Sequence, residues 1–130
     1  MKRPLVFVLL ALATRGCLLA APPGADDLAF FERSVRPVLV ARCVECHGDK
    51  KQKGGLRLDF RGGWQTGGDE GPALVAGNPD ASLLVKAVRY QDENLQMPPK
   101  EPLPPDEVAA LVDWVRRGAP DPRDLAPAET

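Results

Sequence analysis

Large side chains are scarce in this 130-residue chain: four Phe, two Trp and one Tyr make up 5% of it. Rings on that scale cannot fill a protein core alone, so the composition calls for some other apolar filling. Charge of one sign is not in excess either, with 17 Lys and Arg against 18 Asp and Glu. That balance argues against nucleic acid as a partner, which would require a basic surface. No apolar run reaches the ~20 residues of a membrane span, and Arg15 breaks the longest one. Strand-like alternation of apolar and polar residues is missing, as is any internal repeat. With three Cys and a single His, a zinc cage of four Cys and His ligands would need every one of them.

The N-terminus accounts for one of those cysteines. Lys2 and Arg3, the apolar run Leu5 to Ala13, and the small residues around Ala20 and Ala21 read as a secretory signal peptide over residues 1–20. Its removal takes away Lys2, Arg3 and Arg15 and no acid, leaving 14 basic and 18 acidic residues and a charge of −4. It also removes Cys17, so Cys43 and Cys46 remain as a pair. A lipid anchor on Cys17 is disfavoured, because Thr14-Arg15-Gly16 fits such a signal poorly. The mature protein is therefore expected outside the cytoplasm and not as an integral membrane protein.

What is abundant is turn chemistry, with 14 Pro and 12 Gly. Between the turns the periodicity is helical. Asp26 and Asp27 predict the cap of a first helix over Leu28 to Val35, with Phe30, Phe31 and Val35 inward. Pro37 predicts a kink or a new helical start leading into the cysteines. The Gly48 to Gly63 stretch reads as a loop, and Trp64 sits on a short helical turn. Asn78-Pro79-Asp80 opens a helix whose apolar face is Leu83, Leu84, Ala87 and Val88 and which ends near Tyr90. "DENLQMPPKEPLPP" holds too many prolines for helix or ladder. A last helix follows Pro104-Pro105, carries Val108, Leu111, Val112 and Val115, and stops at Gly118. The expectation is one all-α domain over residues 26–120, with 121–130 as a tail or the start of a linker.

The chemistry concentrates in "CVECH", Cys43 to His47. A redox dithiol needs a surrounding βαβ pattern, which is missing. A structural zinc site needs four ligands, and the mature chain supplies two thiols and one imidazole. An ordinary disulfide leaves the adjoining lone histidine unexplained. Covalent haem uses what is present: each thiol adds to one porphyrin vinyl group, and His47 binds the iron from below. A porphyrin would also supply the missing apolar filling. Of the two methionines only Met97 survives removal of the signal. It lies in a loop stiffened by Pro98 and Pro99 and is the candidate for the second axial ligand.

"CVECHG", "GPAL" (Gly71 to Leu74), "MPP" (Met97 to Pro99) and the final amphipathic helix together resemble a class I cytochrome c. More narrowly, "FFERSVRPVLVARCVECHG", "KGGLRLDFRGG", "GNPDASLLVKAVRY" and "LQMPPKEPLPPDEVAALVDWVRRGAP" resemble the planctomycete-type cytochrome c domain. The resemblance covers residues 28 to 120 and implies the small all-α cytochrome c fold, first and last helices crossing beside the haem. It implies that the Pro72 carbonyl accepts the second N–H of His47, which would fix the imidazole. Arg57, between two leucines, is a candidate for a haem propionate. Lys50, Lys51 and Lys53 read as a solvated loop or as steering charges for an acidic partner. Trp64 and Trp114 read as core. The expected function is single-electron transfer through one His/Met-ligated haem c, not catalysis, with a redox partner protein or attached redox module. The resemblance also allows the chain to be the haem domain of a larger redox enzyme. Two rivals are a five-coordinate sensor or peroxidase-like enzyme without Met97 on iron, and a non-haem interaction module held by a disulfide.

Overall fold

The computed structural model describes residues 22–124. Residues 1–21, which include the expected signal peptide and Cys17, and residues 125–130 lie outside the described residues. Among the described residues there is no strand; pairing is limited to isolated bridges such as His47 with Gln52 and Asp92 with Leu95. The all-α expectation holds.

The first helical stretch is longer than its sequence signal. Helix α1 (Ala25–Phe30), a π-helical turn (Phe31–Val35) and α2 (Arg36–Arg42) follow without leaving helical backbone at the joins. Pro37 explains the π turn. It has no N–H for the carbonyl of Arg33, and its ring crowds that carbonyl, so a wider turn just upstream relieves both. Asp26 and Asp27 do not cap this stretch. Gly24 is the N-cap and makes no side-chain bond, while both acids lie inside the first turn. There they still oppose the positive end of the helix dipole.

Three further helices complete the domain. Helix α3 (Arg61–Thr66) ends at Gly67, whose φ of +76° suits glycine. A 3₁₀ turn (Pro79–Ala81), held by Asn78 Oδ1 accepting the Ala81 N–H at 3.2 Å, leads into α4 (Leu83–Val88). Helix α5 (Pro105–Arg116) starts on its proline and stops before Gly118 at φ +95°.

These helices converge on Trp114. It is fully buried with Phe31, Leu39, Leu111, Val35, Val85 and Val115 around it. Its ring centroid lies 5.8 Å from Phe31 and 5.9 Å from Trp64, the latter edge-to-face. Such pairs contribute about 0.5–1.5 kcal/mol each beyond their buried area. The Trp114 Nε1–H donates to the Pro120 carbonyl at 2.9 Å, which brings the chain after α5 back over the core. Both tryptophans are core residues.

The packed structure runs past Pro120, where the sequence suggested a tail. Asp121 is 1% exposed and accepts from Trp64 Nε1 at 2.9 Å. Arg123 lies over the Phe31 ring at 5.0 Å. "DPRD" looks like a linker because it is polar, but Asp121 and Arg123 neutralise each other inside the fold, while the exposed Asp124 pairs with Arg61.

Candidate functional site

The CVECH turn is built on the end of α2. The N–H groups of Cys43 and Val44 both donate to the Leu39 carbonyl, which ends the helix tightly. The Cys43 carbonyl then accepts from Cys46 (3.2 Å) and His47 (2.9 Å). Downstream chain closes over the turn: Lys53 N–H donates to the Cys46 carbonyl at 2.9 Å, and Leu58 N–H to the His47 carbonyl at 2.8 Å. Gly48 makes that reversal possible. A Cβ there would stand 2.4 Å from the Val44 carbonyl oxygen and 2.9 Å from Val44 Cγ1.

Beside the turn opens an apolar cleft of about 170 Å³. Cys43 and His47 line it from the end of α2, and Met97 and Pro98 from the loop after α4. Leu58, Leu84, Val88, Leu103 and Leu111 supply the greasy wall, with bare backbone at Gly54, Gly68 and Gly71. Cys46 is half-buried on the same turn but is not one of the lining residues.

Burial, then the negative charge of Glu107, then Cys46 push the Cys43 thiol up to about 11. His47 Nδ1 is buried and has no hydrogen-bond partner. Met97 is held by its backbone. Its N–H donates to the Ala87 carbonyl at 3.1 Å, and the Tyr90 hydroxyl donates to the carbonyl of Pro98. Met97 as a residue remains 40% exposed.

Two sequence expectations meet a different arrangement. Pro72 is exposed, and its carbonyl is not bonded to His47 Nδ1; only its neighbours Gly71 and Ala73 reach the cleft. Arg57 turns to Asp59, with Nε to Oδ1 at 2.9 Å and the second bond from Nη2, and stacks over Phe60 at 4.8 Å. The reason is spacing. Residues i and i+2 of an extended segment share a side, so the fork of Arg57 meets a carboxylate within its own strand of chain. Arg57 does not line the cleft. The basic groups that do are Lys53 and Arg42, the latter bonded to Glu107 of α5 at 3.1 and 3.2 Å. That bidentate pair raises the Arg42 pKa and ties α2 to α5. Lys50 and Lys51 are exposed. Arg42 carried no motif signal; its only sequence cue is standing next to Cys43. Tyr90 was read as a helix end, and its φ of +60° turns the chain so that its hydroxyl reaches back to Pro98.

Among the described residues, no three His, Cys, Asp or Glu side chains converge as a metal cage would require. Residues 43–101 match the family model described as planctomycete cytochrome C. This segment is a planctomycete-type cytochrome c domain. The match begins at the first thiol of the motif and includes His47 and Met97. No curated protein and no solved structure matched the chain.

Membership assigns the cytochrome c domain a haem c with iron and a part in electron transfer. The residues fit that group. One apolar cleft is lined by Cys43, His47 and Met97, and the buried Nδ1 of His47 has no protein partner. Soft sulfur and imidazole donors suit haem iron, whereas a hard cation would want oxygen.

Proposed function

We propose that Cys43 and Cys46 of this cytochrome c domain would hold one haem covalently, with His47 and Met97 as the donors to its iron. The domain would move single electrons outside the cytoplasm after residues 1–20 are removed. The observation that carries the reading is the cleft itself: the motif turn and the Met97 loop, fifty residues apart in sequence, line the same apolar space. Haem supplies an iron centre that alternates between Fe(III) and Fe(II) one electron at a time. The chain's part is to hold donors still and keep water away. The Leu58 and Lys53 N–H groups fix the backbone of His47 and Cys46, and the Ala87 carbonyl fixes that of Met97. The leucine and valine wall excludes solvent, and thioether ligation favours the reduced metal.

Export is supported by the signal-like residues 1–20, and no described helix is long and apolar enough to cross a membrane. Electrons would pass to a redox partner protein or an attached redox module.

The exposure of Met97 supports a second reading, in which the iron is five-coordinate and binds a small ligand. Protein matured in a host with a c-type haem pathway separates the two. The carrier reading expects the mass of the mature chain plus one haem, pigment that survives acid–organic extraction, and a thioether–iron charge-transfer band in the oxidised spectrum. Extractable pigment would sink covalent attachment. Rapid carbon monoxide binding without that band would move the assignment to the sensor.

A further inference from the structure

The segment beyond Pro120 carries chemistry that the cytochrome assignment does not use. Arg123 and Asp121 form an ion pair with side chains only 8% and 0% exposed. The fork is bidentate, Nε to Oδ1 at 2.9 Å and Nη2 to Oδ2 at 2.7 Å. Asp121 also accepts the Arg123 N–H at 2.9 Å and the Trp64 indole N–H at 2.9 Å. The third guanidinium nitrogen, Nη1, donates to the Leu58 carbonyl at 3.0 Å. The Arg123 carbonyl accepts the Arg61 N–H at 2.8 Å. Leu58 is the link that matters. Its N–H caps the His47 carbonyl, its carbonyl is held by Arg123, and its side chain is part of the cleft wall.

We infer that Arg123 is a positioning residue for His47, acting through Leu58, with Asp121 as the anchor that aims its guanidinium. A buried charge persists only when its hydrogen-bonding capacity is met, and here the pair meets it while gripping one peptide unit next to the motif turn. Three guanidinium nitrogens have three named acceptors in a fixed plane. Lysine at this position keeps the charge but lacks the fork, and cannot hold the carboxylate on two sides and the Leu58 carbonyl together.

Native-state amide exchange on the full, haem-loaded wild type tests the link without a mutation. The amides of Leu58, Arg61 and Arg123 should open as one unit, with the same protection and the same denaturant dependence. Protection at Leu58 while Arg61 and Arg123 exchange freely would overturn the inference. The second arm compares Arg123→Lys with Arg117→Lys, the latter altering a surface pair with Asp27 and Asp113. In Arg123→Lys the Leu58 amide should exchange at least tenfold faster relative to the Val115 amide. The haem midpoint potential should fall, because water nearer the His47 backbone favours the charged oxidised site. Arg117→Lys should change neither. A folded Arg123→Lys with unaltered Leu58 exchange and potential would equally overturn it. The potential arm rests on the haem reading. If no pigment forms, that reading fails by itself, and the exchange arm still decides this one.

Discussion

Gly48→Ala places the largest single perturbation on the motif turn for the smallest chemical change. The glycine is not there for an unusual φ, because its backbone lies outside the left-handed region. It is there because the chain doubles back on Val44, one of the two residues between the thiols. A methyl group would stand 2.4 Å from the Val44 carbonyl oxygen, where ordinary contact begins at 3.4 Å, so that carbonyl must retreat by about 1 Å. Overpacking of this kind costs about 1–3 kcal/mol. At about 4–8 °C per kcal/mol for a domain of this size, the melting midpoint should fall by roughly 5–20 °C. The displaced peptide joins the two thiols proposed to attach haem, and misplacement of reacting groups by about 1 Å costs up to about 100-fold in rate. Haem attachment should therefore drop about tenfold or more. Gly77→Ala is the stability-matched control. Its φ is +81° with nothing within 4 Å of the added methyl, so it costs about 1–2 kcal/mol in backbone strain, away from the cleft. Haem staining and thermal melts on both variants give the result. If Gly48→Ala loads haem as well as an equally destabilised Gly77→Ala, the steric account of the turn is wrong.

Met97→Ala should let carbon monoxide bind the reduced protein readily and should lower the potential, read by flash photolysis and redox titration; unchanged values would remove Met97 from the iron. Tyr90→Phe should cost about 1 kcal/mol in urea unfolding and speed carbon monoxide binding, since the hydroxyl holds Pro98 beside Met97. Burial resists ionisation of Asp121, but the bonds from Arg123 and Trp64 prevail and lower its pKa in the folded state. Its contribution to stability is therefore complete above the unfolded carboxyl pKa of about 4 and is lost as pH falls below that toward the folded value. Asp121→Asn should flatten the acid limb of a stability–pH curve in that window and leave its shape above pH 5 unaltered.

Local signals served the sequence reading well wherever they were strong. Pro105 at the start of α5, Gly118 at its end and the Leu111 and Val115 spacing between them are short-range features, and the helix follows them. Cys43, His47 and Met97 stood out because few residue types can do that chemistry and the chain holds so few of them, and all three line one cleft. Partners chosen across space were not legible. Arg57 was read for a propionate before Asp59, two residues on, could be seen to hold its fork. Pro72 was read through resemblance, which carries no information about which way its carbonyl faces. Asp121 and Arg123 were read as tail because polarity marks a linker only when the charges stay in water, and these two cancel within the core.

The same folding back of the chain over Trp114 gives the protein an optical simplicity. It has two tryptophans, and they are edge-to-face neighbours 5.9 Å apart. Indole emission from this chain therefore originates at one place. No surface indole adds background, and a bound haem would quench this pair by energy transfer, so emission should appear as α3, α5 and the Asp121 turn draw apart from the haem cleft. The molecule carries its own single-site label, readable in a stopped-flow cell without attaching a dye.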